Sequence, residues 1–132
     1  MSHERLIELP AAAAASIDQI LGILLDSFMA GGDPTTGHNA FTWGIDIEQV
    51  VDLGSRMREV WTAAELSSGD GPDRSVDLSI EDVALVLQGM AFTEVLSAEL
   101  PWVDMVRWTS DFVTAELRQH WSDQEWSSFI GS

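Results

Sequence analysis

The chain has 132 residues, 45% of them hydrophobic, a formal net charge of −16, and no cysteine. That size and apolar content suit one globular domain with its own core rather than a disordered tail. The missing cysteines exclude disulfides, thiolate metal sites, iron–sulfur clusters and a thiol nucleophile. All six cations are arginine (Arg5, Arg56, Arg58, Arg74, Arg107 and Arg118), and they form no basic stripe. Nucleic-acid binding needs clustered cations that displace counterions, so direct nucleic-acid binding is excluded as the expected role. Attraction to an anionic membrane surface is disfavoured for the same reason.

The N-terminal residues do not lead straight into an apolar stretch as a signal peptide does. The apolar segment from Ala11 to Ala30 is interrupted by Asp18, Gln19 and Asp26, which marks it as a core helix, not a membrane span. Cytoplasmic placement is the expectation. The arginine-only cation set fits a GC-rich genome.

The first helix is expected from about Pro10 to Met29. Ile17, Ile20, Leu21, Leu24, Leu25 and Phe28 fall on one face, and Gly31-Gly32 provides a stop. Residues 31–45 read as a long flexible loop that carries His38, Phe41 and Trp43. Asp46 is the cap expected to start a second helix from about Ile47 to Leu66, with Gln49 three residues on and Ile45 against Val50 as a staple. Ile47, Val50, Gly54, Met57, Trp61 and Ala64 form its inner stripe, and Gly54 suggests a close helix approach. Asp52 and Arg56 make an i, i+4 pair.

Residues 67–78 read as a second flexible connector. Ser79 with Asp82, and Leu78 against Val83, start a third helix that runs to about Ala98. It is apolar nearly all round, which predicts a central position. Leu100-Pro101 breaks the chain before a fourth helix from about Trp102 to Trp121. Its expected inner stripe contains Trp102, Met105, Val106, Thr109, Phe112, Val113 and Leu117. Ser122 with Glu125 starts a short fifth helix. No stretch shows sustained period-2 alternation. The predicted fold is all-α: a single domain over residues 1–132, four-helix bundle-like, with a short C-terminal fifth helix.

Chemistry is sparse. Glu94 stands on the apolar third helix as the candidate buried carboxylate. With Trp61, Phe92, Trp102 and Phe112 it could line a pocket for a small molecule or a reaction. Glu116 and His120 are i, i+4, but the Glu-x-x-His and His-Glu-x-x-His metal motifs are absent. No nucleophile elbow, phosphate loop or dinucleotide fingerprint occurs. No catalytic residue, metal or cofactor is predicted.

The charge itself is the stronger signal. Glu48, Asp52, Glu59, Asp104 and Asp111 point away from the inner stripes, and Trp43 and Trp108 are candidate anchors among them. These seven residues form the predicted partner-binding set, and the expected partner is a protein with a basic surface. In charge and size alone, the chain resembles bacteriocin or toxin immunity proteins and phage-encoded inhibitors that imitate DNA. That resemblance implies a basic nuclease-like target. A subunit or assembly factor of a larger complex, able to self-associate, is the alternative.

Overall fold

Helix-favouring sequence dominates this computed structural model, which describes residues 5–30 and 45–129, most of them helical. In chain order the elements are β1 (Arg5–Leu9), α1 (Ala11–Ala30), α2 (Ile47–Val60), α3 (Ala63–Ser68), β2 (Arg74–Leu78), α4 (Ile80–Ser97), α5 (Val103–Arg118) and α6 (Asp123–Phe129). The all-α expectation holds in its broad form, with a strand pair added.

That pair corrects the reading of residues 67–78 as a connector. β1 and β2 run antiparallel, with Ile7 opposite Val76 and Leu9 opposite Arg74. Ile7, Leu9, Val76 and Leu78 are buried, while Leu6, Glu8, Ser75 and Asp77 face outward. The period of two is present, but only over five residues in each strand. Such short runs give little signal alone, and the two strands are far apart in sequence.

The long second helix is also two helices. α2 stops at Val60, and Thr62 begins α3 with a capping box: Glu65 N–H donates to Thr62 Oγ1, and Thr62 N–H to Glu65 Oε1. Trp61, at the break, is buried and donates its indole N–H to the Pro72 carbonyl. The other caps form where expected. Asp46 accepts from Glu48 N–H, Ser79 pairs with Asp82, and Ser122 with Glu125. Ile45, Val50, Leu78 and Val83 are buried around the first two. Gln49 does not close a capping box; its amide reaches Asp82 Oδ1 at 3.4 Å.

α1 shares the central position with α4, which packs against α1, α2, α5 and α6. α1 packs against α2, α3, α4 and α5, and Ala13, Ala14, Ile17, Leu21 and Leu24 are buried along it. α4 keeps an outer edge on which Ala91 and Val95 are exposed. An apolar circumference therefore exceeds what its neighbours cover.

The close helix approach falls at Gly89 and not at Gly54. A Cβ at residue 54 would meet only Leu21 Cδ1 at 3.9 Å, an ordinary contact. At residue 89 it would sit 2.8 Å from Ile20 Cγ2 and 3.0 Å from Leu24 Cδ1, so α1 and α4 need the missing side chain. Gly22 faces open space. Gly89→Val should lower stability by about 1–3 kcal/mol through overpacking. Gly22→Ala should raise it by roughly 0.5–1 kcal/mol through helix propensity. Urea denaturation of both variants checks the contrast.

Candidate protein-docking surface

With 22 carboxylates and six arginines, the fold must choose where its cations go. Each of the five arginines with a described side chain joins two elements. Arg56 of α2 makes two hydrogen bonds to Asp82 of α4, at 2.8 and 3.0 Å, and donates to the Asp77 carbonyl of β2 at 2.9 Å. It also pairs with Asp52, the expected i, i+4 partner, at 2.8 Å. Arg58 of α2 faces Asp18 of α1 at 3.7 Å. Arg74 of β2 bonds Glu65 of α3 at 2.5 Å and the Val60 carbonyl at 3.0 Å. Arg107 of α5 bonds Glu94 of α4 at 3.0 Å. Arg118 of α5 bonds the Trp121 carbonyl and Asp123 of α6 and lies over the Trp126 ring.

Among the described residues Asp82 is the buried carboxylate, with its side chain 5% exposed. Burial pushes its pKa up. Its hydrogen bonds from Arg56 and from Ser79 N–H, and the Arg56 charge, outweigh that and hold it below the ordinary aspartate range. The same hydrogen bond raises Arg56 against the opposing effect of its own burial. Glu65 is also held low, by its bond from Thr62 N–H first and by Arg74 second.

Glu94 is not the buried carboxylate. Its side chain is 40% exposed at the edge facing α5, where Arg107 reaches it. The predicted pocket does not form around it either, because Trp61 and Phe92 are packed solid within the core. A different cleft, of about 230 Å³, opens between α1, α4 and α5. Ser16, Gln19, Ile20 and Ile23 form one wall, and Met90, Thr93 and Ser97 the floor. Trp102, Met105, Val106 and Thr109 form the other wall. Two of its hydroxyls are turned into their own helices, Ser16 to the Ala12 carbonyl and Thr93 to the Gly89 carbonyl.

The α5 wall continues outward as an exposed apolar stripe. Met105 is 69% exposed, Trp108 66% and Trp102 53%, and the Trp108 ring stacks on Phe112 with centroids 5.7 Å apart. Trp102 and Met105 were expected inside. Val113 and Leu117 are the buried core residues of α5, Phe112 packs against them, and Val106 is half-buried in the cleft wall. Met105 and Trp108, three residues apart, lie about a third of the way round the helix from Val113 and Leu117, while Phe112 stays against the core as expected. Reading the two stripes as one hid the second.

The predicted anchors and acids separate accordingly. Trp108, Asp104 and Asp111 lie together on α5, all exposed. Glu48, Asp52 and Glu59 lie on α2, exposed, with Ile47 and Val51 as a smaller apolar pair beside the first two. Asp52 is already engaged by Arg56. Trp43, with Phe41 and His38, lies outside the described residues. Among the described residues, no three metal-ligating side chains gather, and no helix is long and apolar enough to cross a membrane. Gln119 donates to the Glu116 carboxylate from the same helix.

Comparison with family models, curated proteins and solved structures finds no match.

Two outcomes follow from this geometry. Asp82→Asn should cost about 2–3 kcal/mol at neutral pH by leaving Arg56 without its carboxylate. Because folding lowers the Asp82 pKa, this contribution is complete above about pH 4 and fades as the pH falls through the lower folded-state value. Urea midpoints of the parent and variant should therefore converge in acid. Separately, Trp108→Phe should reduce the acrylamide-accessible part of the tryptophan emission, as quenching titrations would read directly.

Proposed function

We propose that this chain is an acidic, cytoplasmic protein-interaction module on a four-helix bundle-like scaffold, built to capture a partner with a basic surface. One observation carries the reading: an exposed Trp–Met stripe on α5 lies beside carboxylates, while every described arginine is occupied within the fold. Aromatic and methionine side chains are enriched at interfaces, and tryptophan is enriched at binding hot spots. Carboxylates around such an anchor steer a basic partner and raise its capture rate. An inhibitor or immunity-type role against a nucleic-acid-handling protein suits these features. Direct nucleic-acid contact does not, since no described cation is spare.

An assembly-subunit role would use the same stripe between copies. The charge argues against identical copies meeting there, because each brings a net charge of −16. The pocket reading loses its polar group, as Glu94 lies outside the cleft.

The test is capture on the immobilised chain from a lysate at about 50 mM and about 500 mM salt, with the retained proteins identified. The bait is compared with an Asp104→Asn/Asp111→Asn variant and a Glu48→Gln/Glu59→Gln variant. A basic protein held at low salt, released at high salt and weakened by one charge pair is the expected result. Recovery of the chain alone, or retention indifferent to salt and to both variants, overturns the reading.

A further inference from the structure

The cleft and the α5 stripe form one continuous surface, and its geometry specifies more than a basic partner. Resting on the reading above, we propose that this surface receives the apolar face of a basic amphipathic helix, with one large side chain seated in the cleft.

Each wall is a helix, and the floor is a third helix. Lining residues recur at three- and four-residue steps over two turns of each, so the trough is roughly 10 Å long. A trough bounded by helices suits a helix laid along it. Pairing by an added strand needs an open sheet edge, and no strand borders the cleft. A volume of about 230 Å³ lies below the usual range for small-molecule pockets, roughly 300–1,000 Å³. It matches instead the burial of an anchoring side chain.

Charge complementarity selects the flanks of that helix. Asp104 and Asp111 stand seven residues apart on α5, about 10 Å along its axis, beside the stripe of Met105 and Trp108. Asp26, exposed on α1, lies one turn beyond Ile23 of the opposite wall. Arg107, also on α5, is held by Glu94 at 3.0 Å, with Asp104 at 3.6 Å. The fitting ligand therefore places Lys or Arg at positions i and i+7, with apolar anchors between them at i+3 and i+4. A second copy of this chain offers no such helix: its own amphipathic helices carry carboxylates where cations are required.

The probe is a labelled synthetic helix of about 15 residues with that pattern. It is compared with a scramble of the same composition, and with a version in which Gln replaces each cation. Anisotropy titrations at about 50 mM salt use the full chain, Met105→Ala/Trp108→Ala, Asp104→Asn/Asp111→Asn, and Glu48→Gln/Glu59→Gln. Both α5 pairs are exposed, and circular dichroism checks that they leave the fold intact. The expected result is binding of the patterned helix alone, weakened roughly tenfold or more by either α5 pair and unchanged by the α2 pair.

If the scramble binds equally, with α2 and α5 charge pairs equally effective, the groove is overturned while the acidic-capture reading stands. Equal binding of the Gln helix overturns the charge-matched partner. If no cationic peptide binds, both fall. A dimer that Met105→Ala/Trp108→Ala dissociates identifies a second copy as the occupant, and overturns this proposal.

Discussion

Arg56 and Asp82 make the contact on which the packing of this chain turns. One guanidinium bonds the N-terminal carboxylate of α4 and the Asp77 carbonyl near the end of β2 while it stays on α2. Asp82 meanwhile holds Ser79 N–H, so the start of α4 and the docking of α2 share a single carboxylate. A buried ion pair is worth having only when its remaining hydrogen bonds are satisfied. Here Ser79 and Gln49 supply partners for the carboxylate, while Arg56 Nε is buried without one.

The scarcity of cations makes that arrangement general. In a chain with so many carboxylates, an arginine left on the surface would neutralise its surroundings. Each described arginine instead pairs with a carboxylate of another element, Arg58 and Arg107 from positions that stay more than half exposed. The remaining carboxylates keep their field, and Arg56 and Arg74 tie neighbouring elements through several bonds each, as a planar guanidinium can. The same distribution that stabilises the interior therefore leaves the outside of α2 and α5 strongly negative.

Against that field the α5 stripe stands out. Single exposed apolar residues need no explanation, but Trp102, Met105 and Trp108 form a row that joins a cleft. The row exists because α5 has more apolar circumference than α1 and α4 cover. Val113, Leu117 and Phe112 satisfy the core, and the flank is left for something else.

By itself, the sequence determined the helical class, most helix starts and the exposed acids. Ser79–Asp82 and Ser122–Glu125 are local bonds between residues three apart, so spacing alone reveals them. Thr62–Glu65 carried the same signal and was masked by an apolar stripe that runs through the break at Trp61. Trp108 was legible as an off-stripe aromatic, whereas Trp102 and Met105 were not, because periodicity marks which residues are apolar and not how many neighbours arrive to cover them. Only the tertiary structure decided the β1–β2 pairing, the central place of α1, the partner of Glu94 and the burial of Asp82. Those are contacts between segments distant in the chain, and no local pattern records which distant group a side chain will meet.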